Sequence, residues 1–370
     1  MISTTIFPGR YIQGIGAIQR LGEEAKRLGE STLLIVDPYV FDHLLPDFRS
    51  SLTEALNVTF ERFEGEASDE EVARLVKVAN EANTDVIIGM GGGKSLDTAK
   101  AVAYNMKVPV IIVPTIASTD APCSALSVIY TPEGAFKRYL VLPHNPDVVL
   151  VDSEIIAQAP VRFLIAGIGD ALSTWFEADA CQRNYASNMT GDIGSSAAYH
   201  LARFCYDMIL EYGVAAKVSC EAKVVTPALE RIIEANTLLS GLGFESGGLA
   251  ACHAIHNGLT TLHQTHDYWH GEKVTIGVLT SLFLTDRPAA LIDEVYTFCE
   301  DVGLPTTLAE IGLENPTDED LMRVAEGACA EGETIYHEPM PMSPGKVFAA
   351  LKAADAEGRR RKEIQSVANL

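Results

Sequence analysis

The segment Asp85-Val-Ile-Ile-Gly-Met-Gly-Gly-Gly-Lys-Ser-Leu-Asp97 decides how the first part of this 370-residue chain folds. Its apolar first half predicts a buried strand, and the pattern from Lys94 to Asn105 predicts a helix directly after it. Three consecutive glycines, Gly91, Gly92 and Gly93, let the backbone approach an anion, and the N–H groups of a helix N-terminus attract phosphate. The spacing matches neither the G-x-G-x-x-G fingerprint nor a Walker A loop. It predicts a diphosphate-binding loop, with a turn for tight strand–helix packing as the alternative.

Strand and helix patterns alternate on both sides of this segment. Strands are predicted at residues 32–37, 57–64, 85–89, 109–113 and 147–152, a hairpin at 127–130 and 139–142, and a capping box at Ser68 to Glu71. Such alternation predicts a parallel sheet covered by helices. After about Ser153 helical periodicity dominates, for example at residues 166–181, 195–210, 222–239 and 347–356. The predicted fold is a Rossmann-like α/β domain over residues 1–153, followed by an all-α domain over residues 154–370.

Composition excludes several classes of function. The formal net charge of −22 disfavours binding to nucleic acid or to an anionic membrane surface. The seven cysteines form no Cys-x-x-Cys pair, which indicates free thiols in a reducing compartment. The N-terminus shows no signal-peptide pattern, and no apolar run is long enough for a membrane span. We therefore expect a cytoplasmic protein.

A second segment concentrates histidines. Five of the nine histidines lie between Cys252 and Lys273, namely His253, His256, His263, His266 and His270. His253 and His256 are three residues apart in an apolar context, so they are predicted to share one face of a helix. Neutral imidazole is the commonest protein metal ligand, which makes this segment a candidate metal site. His263 and His266 stand among polar residues and are equally well explained as surface residues.

Three acidic residues are further candidates. Asp170 is predicted to stand at the start of an apolar helix, either as a cap or as the third metal ligand beside His253 and His270. Asp120 lies in the hydroxyl-rich loop after a parallel strand, where ligands bind, although the loop is also explained as a connection. Asp37 closes an earlier strand and is predicted either to bind a ribose or to cap a turn.

These segments together resemble the metal-dependent (iron-type) alcohol dehydrogenases and, within that family, the bacterial glycerol dehydrogenase group. The resemblance covers essentially the whole chain and is most specific at residues 114–130, 234–258 and 270–274. It implies a dehydroquinate synthase-like architecture, one zinc ion per subunit on Asp170, His253 and His270, and substrate contacts from these residues and Asp120. The cofactor is implied to be NAD, bound by Asp37, Gly91, Gly92, Gly93, Lys94, Asp97, Thr115, Ser118, Ser124, Leu126 and Tyr130.

The implied reaction is the NAD-dependent oxidation of glycerol, or a related vicinal diol, to dihydroxyacetone. Iron-dependent members carry another histidine one helical turn after the aspartate, and Thr174 stands there in this chain. A site with two histidines and one carboxylate favours zinc. A homo-oligomer is implied, an octamer above others. The alternatives are another polyol or alcohol dehydrogenase, a dehydroquinate synthase-type lyase, which the scarcity of Lys and Arg in these segments disfavours, and a non-catalytic binding protein on the same scaffold.

Overall fold

The computed structural model describes residues 1–368, apart from the side chains of residues 51, 55, 367 and 368. Its strands are β1 (Tyr11–Gly14), β2 (Ser31–Val36), β3 (Asn57–Arg62), β4 (Val86–Gly91), β5 (Val110–Pro114), β6 (Leu126–Tyr130), β7 (Phe136–Val141) and β8 (Val148–Asp152). Its α-helices are α1 (Leu21–Lys26), α2 (Pro38–His43), α3 (Leu45–Ala55), α4 (Asp69–Glu81), α5 (Gly93–Met106), α6 (Ser153–Gln158), α7 (Val161–Asn184), α8 (Ser196–Glu221), α9 (Pro227–Glu234), α10 (Ser240–Gly247), α11 (Ala251–Leu259), α12 (His270–Leu284), α13 (Ala289–Val302), α14 (Asp318–Ala328) and α15 (Pro344–Ala368).

Six strands form one parallel sheet in the order β1-β8-β5-β4-β2-β3. Every residue of β4, β5 and β8 is buried. This explains their continuous apolar sequences, since a parallel sheet is covered on both faces. The chain runs from β2 to β3 on one side and then to β4 on the other side of β2, so the strand order reverses between β2 and β4. The carboxyl ends of these two strands therefore flank the place where ligands bind in such sheets.

Most predicted strands are confirmed. Strands β6 and β7 pair antiparallel as the predicted hairpin, and Ser68 caps α4 by accepting a hydrogen bond from the Glu71 N–H at 3.2 Å. Strand β1 was not predicted, because four half-buried residues are too few to show an alternation. The helix predicted at residues 222–239 begins later, at Pro227, because Thr226 caps it and proline occupies its first turn. Residues 235–239 continue it as a π-helix.

The described residues group into two compact units. One comprises Ile6–Phe163 and Ser219–Gly241, and contains the sheet. The other comprises Met1–Thr5, Leu164–Val218 and the chain from Leu242 onward. Each unit is built from separate pieces of the chain, and the boundary expected at residue 153 stays a prediction. Within residues 1–368, no helix is both long and apolar enough to cross a membrane.

The second unit is helical, and α11 lies at its centre. An apolar core joins α11, α12, α14 and α15 through residues such as Ile255, Ile276, Val324 and Leu351, all buried. The prediction that Asp170 stands at a helix start is wrong, because α7 begins at Val161 and Asp170 lies in its interior. The alternative that Asp170 caps a helix is therefore excluded. An acid buried inside an apolar helix requires polar partners on the neighbouring helices.

Candidate metal centre and nucleotide site

Asp170, His253 and His270 converge on one point of the helical unit. The Nε2 atom of His253 lies 3.4 Å from Asp170 Oδ1, and the Nε2 atom of His270 lies 3.1 Å from the same oxygen. One donor atom from each residue lies within 4.8 Å of the others. Two ligands about 2.0–2.1 Å from one zinc ion at the tetrahedral angle are about 3.3 Å apart. The three donors therefore fit a divalent metal ion, and among the described residues they are the one such group.

Glycines next to the ligands bring the three helices together. A Cβ atom at Gly271, directly after His270, would collide with the Ala166 carbonyl of α7. A Cβ atom at Gly169, directly before Asp170, would collide with the Thr275 hydroxyl and the Gly271 carbonyl of α12. Gly277 likewise allows α12 to touch the Cys252 carbonyl of α11. Close backbone contact between these helices places the side chains of neighbouring residues within ligand distance of one another.

Glu177 orients His253. Its Oε2 atom lies 2.6 Å from His253 Nδ1, and its Oε1 atom accepts the backbone N–H groups of Ala250 and His253, each at 2.9 Å. The carboxylate accepts a hydrogen bond from Nδ1–H, so that Nε2 is the nitrogen that would bind a metal ion beside Asp170. Sequence reasoning missed Glu177. A local signal was present, because Glu177 lies two turns after Asp170 on a largely apolar helix and so shares its face.

His256 stands behind the other imidazole ligand. Its Nε2 atom lies 3.1 Å from His270 Nδ1, and its Nδ1 atom lies 3.1 Å from Asn257 Oδ1. His253 and His256 lie on α11 as predicted, with ring centroids 6.4 Å apart. His263 and His266 are exposed, and the His266 Nε2 atom lies 2.9 Å from the Thr260 carbonyl, so both fit the surface interpretation.

The charges at this centre favour a cation. Burial opposes ionisation of Asp170, but His270 and His253 hold the pKa of its carboxyl well below the usual range. Burial likewise opposes a charged His253, but Glu177 and Asp170 raise its pKa well above the ordinary value. Burial, with His270, Lys273 and His253 nearby, lowers the pKa of His256 well below its ordinary value. Positive charge is therefore stabilised between Asp170 and Glu177, while His256 is neutral.

The glycine segment forms the predicted strand–loop–helix in the other unit. Gly91 ends β4 with φ +144°, and a Cβ atom there would collide with Asp37 and Ser95. A Cβ atom at Gly93, the first residue of α5, would have no neighbour within 4 Å. The N-terminal turn of α5 therefore faces open space beside the carboxyl end of β4, as a phosphate-binding loop requires. The tight-packing alternative explains Gly91 but not Gly93.

Asp37 and Lys94 lie beside this loop. Asp37 caps α2, since its Oδ1 atom accepts the Tyr39 N–H at 2.9 Å and the Val40 N–H at 3.5 Å. The ribose role expected of Asp37 stays a prediction, compatible with the cap because the carboxylate is only partly buried. Lys94 Nζ donates to Glu66 Oε2 at 2.7 Å and lies 5.0 Å from the centroid of the Tyr130 ring. A bound phosphate would compete with Glu66 for this ammonium group.

The loop after β5 is anchored to α5 by a buried lysine. Lys100 Nζ donates to the carbonyls of Ala121 and Leu126, at 2.6 and 3.0 Å, and to Ser124 Oγ at 3.3 Å. Asp97 lies beside it, and Asp97 Oδ2 accepts the Val128 N–H at 3.1 Å. Burial raises the pKa of Asp97 to about 6, against the opposing effect of Lys100. These contacts give Asp97 and Ser124 a part in holding the loop, and their expected cofactor contacts stay predictions.

The remaining predicted residues lie in the loop after β5 or in β6. The Thr115 N–H donates to the Gly91 carbonyl at 3.1 Å, and Ser118 lies three residues further along the loop. Tyr130 ends β6, and burial raises the pKa of its hydroxyl above the usual range. Asp120 is buried, and its Oδ2 atom accepts a hydrogen bond from the Ser240 hydroxyl at 2.7 Å. The predicted nucleotide and substrate residues of this unit thus lie after β2, from the end of β4 into α5, in the loop after β5, and at both ends of β6.

Comparisons with known proteins agree with this architecture. The family model described as iron-containing alcohol dehydrogenase matches residues 8–153. The chain is 66% identical to a glycerol dehydrogenase of Thermotoga maritima over 98% of this chain and 100% of the relative. It is 53% identical to a glycerol dehydrogenase of Pseudomonas putida over 95% and 97% of the two chains.

A solved structure of glycerol dehydrogenase from Schizosaccharomyces pombe superposes with a TM-score of 0.95 at 40% identity, covering 99% of this chain and 93% of that one. The predicted fold, a parallel-sheet domain followed by a helical one, is confirmed. The chain therefore belongs to the iron-containing alcohol dehydrogenase family, within its glycerol dehydrogenase group, and is an oxidoreductase.

Proposed function

We propose that this protein oxidises glycerol, and related vicinal diols, to dihydroxyacetone-type ketones with NAD+ as hydride acceptor and one zinc ion per subunit. The observation that carries the proposal is the convergence of Asp170, His253 and His270, with the outer nitrogen of each imidazole already engaged. The full-length likeness to proteins named glycerol dehydrogenase supports the choice of substrate.

The donor set fits zinc. Two imidazole nitrogens and one carboxylate oxygen leave a fourth tetrahedral position for substrate, which is the composition of a catalytic rather than a structural site. A zinc ion held there would polarise a substrate hydroxyl and lower its pKa. The chain's own contribution is to hold three ligands in fixed orientations. Glu177 does this for His253 by accepting the Nδ1 proton at 2.6 Å.

The nicotinamide cofactor supplies the hydride chemistry, so the protein has to bind and orient it. We assign the pyrophosphate to the N–H groups of Gly92 and Gly93 at the start of α5, because this helix end is open. Lys94 would then exchange Glu66 for a phosphate oxygen. We assign the adenosine ribose to Asp37, which follows the strand next to β4 in the sheet.

We assign Asp120 to the substrate. Its carboxylate is buried and held by Ser240, so it has a fixed direction and can accept a hydrogen bond from a polyol hydroxyl that the metal does not hold. A substrate lacking that hydroxyl would leave a buried acid poorly solvated, which costs binding energy. Vicinal diols should therefore be far better substrates than ethanol or 1-propanol. The homo-oligomer, with an octamer favoured by resemblance, stays a proposal that light scattering can test.

The proposal is tested by following NADH formation with a panel of glycerol, 1,2-propanediol, ethanol and a 2-hydroxy acid. Purified protein should oxidise the diols best, lose activity when a chelator removes its metal, and regain activity on addition of zinc. Asp170→Ala and His253→Ala should lose bound zinc and activity together while staying folded. Full zinc occupancy in either variant would remove that residue from the coordination sphere. Equal rates with ethanol and glycerol would refute the assigned substrate.

A further inference from the structure

His256 occupies a position between a ligand and a chain of amide and carboxylate groups. Its Nε2 atom faces His270 Nδ1 at 3.1 Å, and its Nδ1 atom faces Asn257 Oδ1 at 3.1 Å. The rings of His256 and His270 meet edge to face, with centroids 4.3 Å apart. His256 is only 9% exposed, so water does not substitute readily for either partner.

This series of hydrogen-bond contacts ends at Glu333. The Asn257 amide nitrogen Nδ2 lies 3.3 and 3.1 Å from the two carboxylate oxygens of Glu333. A carboxylate only accepts hydrogen bonds, so it fixes the Asn257 amide with its NH2 group toward Glu333 and its oxygen toward His256. The amide oxygen also only accepts, so His256 must carry its proton on Nδ1.

The position of the proton between His256 Nε2 and His270 Nδ1 then follows. A neutral His256 protonated on Nδ1 presents a lone pair on Nε2. That lone pair accepts a hydrogen bond from His270 Nδ1, so His270 is protonated on Nδ1, and its Nε2 lone pair is free to bind a metal ion held beside Asp170 Oδ1, 3.1 Å away. In this arrangement His256 Nδ1–H donates to Asn257 Oδ1 and His270 Nδ1–H donates to His256 Nε2. If His256 were protonated on Nε2 instead, its Nδ1 and Asn257 Oδ1 would both be acceptors, and its Nε2–H would face the Nδ1–H of His270.

We propose that His256, Asn257 and Glu333 are positioning residues that fix His270 in the tautomer able to bind a metal ion through Nε2. This inference rests on the metal site of the proposed function. It assigns the two imidazole ligands to different kinds of support, a carboxylate behind His253 and a neutral imidazole behind His270.

Charge balance explains the difference. Asp170 and Glu177 are both fully buried beside the metal position and together carry two negative charges, which match one divalent cation. A second carboxylate directly behind His270 would leave an excess buried charge, which is costly. A neutral imidazole supplies the required acceptor without that charge, and the carboxylate of Glu333 lies one residue further away, behind Asn257.

The test measures zinc affinity of metal-stripped, full-length protein by competition with a chromophoric chelator. In His256→Phe an aromatic ring still fills the space, but the Nε2 atom that accepts from His270 Nδ1 is lost. Zinc affinity should therefore fall about 10- to 100-fold, the usual effect of removing such a partner. In His256→Gln the side-chain oxygen can still accept from His270 Nδ1, so affinity should stay within a few-fold of wild type. His263→Phe, at an exposed histidine outside the chain of contacts, is the matched control and should bind zinc like wild type.

A second measurement reports the tautomer itself. The ¹⁵N chemical shifts of labelled histidines distinguish a protonated from an unprotonated ring nitrogen, and His270 Nδ1 should be protonated in the zinc-loaded protein. If His256→Phe does not fold, Asn257→Leu serves instead, because it leaves the His256 Nδ1 proton without its acceptor and should also weaken zinc binding.

The outcomes separate the two proposals. If wild type binds no zinc, the proposed function fails and this inference fails with it. If wild type binds zinc and the substituted proteins bind it equally well, only the positioning role is overturned. Equal weakening in His256→Phe and His256→Gln would also overturn the role of the acceptor, because it would indicate a loss of packing.

Discussion

Replacing Glu177 with glutamine should weaken metal binding by reversing the tautomer of His253. A glutamine side chain is nearly the same shape, and its oxygen can keep the two backbone hydrogen bonds from Ala250 and His253. Its NH2 group then faces His253 Nδ1 and can only donate, so that nitrogen must become the acceptor. The proton moves to Nε2, which lies 3.4 Å from Asp170 Oδ1, and occupies the space of the metal.

The size of the effect follows from these contacts. Loss of a partner that orients a metal-bound histidine costs about 10- to 100-fold in affinity, or about 1.4–2.7 kcal/mol. We expect the upper end for Glu177→Gln, because the substitution reverses the imidazole and removes a buried negative charge that attracts the cation. The metal-free protein should stay folded, since the N-terminus of α11 keeps its acceptors.

The assay is zinc titration of the metal-free protein near neutral pH, with Glu338→Gln as the matched control. Glu338 is also a buried acid, and its side chain contacts the start of α11 by accepting the Ala251 N–H at 3.3 Å. Its described hydrogen bonds include no imidazole. Zinc affinity equal to wild type in Glu177→Gln would refute the tautomer argument. An equal loss in both variants would show that only the overall negative charge matters.

Further predictions concern pH, cofactor and substrate. Burial raises the pKa of Glu338 from 4.5 to about 7, so the folded protein binds more protons than the unfolded chain between these values, and its free energy of unfolding should fall by up to about 3 kcal/mol as pH rises through them. Urea unfolding of metal-free protein should show a smaller fall over this pH range in Glu338→Gln than in wild type, where buried Asp97 contributes as well. Asp37→Asn keeps the cap but not the charge, so the preference for NAD+ over NADP+ in kcat/KM should drop about tenfold or more, because like charges brought together cost several kcal/mol. Asp120→Asn should lower kcat/KM for glycerol about tenfold and relax discrimination against 2-hydroxy acids, whereas an unchanged substrate profile would remove Asp120 from the substrate site. Alcohol oxidation by wild type should accelerate from about pH 6 to about pH 9, because the substrate hydroxyl must lose its proton, and a steady fall would indicate another mechanism.

Much of the fold could be predicted because parallel strands and amphipathic helices carry local periodic signals. The position of Asp170 could not, because Gly167 and Gly169 precede it and glycine usually weakens a helix. In the structure α7 runs through both, and Gly169 serves the contact with α12. A local propensity was thus overridden by packing between helices that are distant in sequence.

The candidate metal ligands could be singled out because aspartate and histidine in apolar segments are chemically unusual, and the family resemblance implied that the three act together; their role as ligands stays a prediction. The pairing of these residues with their supporting groups could not be predicted, because Glu177 lies 76 positions from His253 and Glu333 lies 76 positions from Asn257. Such pairings leave no spacing signal in a single sequence. Only the folded structure shows that Glu177 and Asn257, residues of common types, hydrogen-bond to imidazole rings.

The proposal of zinc rather than iron rests on Thr174, one helical turn after Asp170. A fourth protein ligand at that position would have to direct its side chain toward Asp170, His253 and His270. In this structure the Thr174 methyl group packs so closely against Gly243 of α10 that a Cβ atom at Gly243 would collide with it. Thr174 is buried, so a larger imidazole directed at Gly243 would collide with α10. This packing therefore favours the proposed set of three protein ligands, two of them histidines, and that donor set is the ground for proposing zinc.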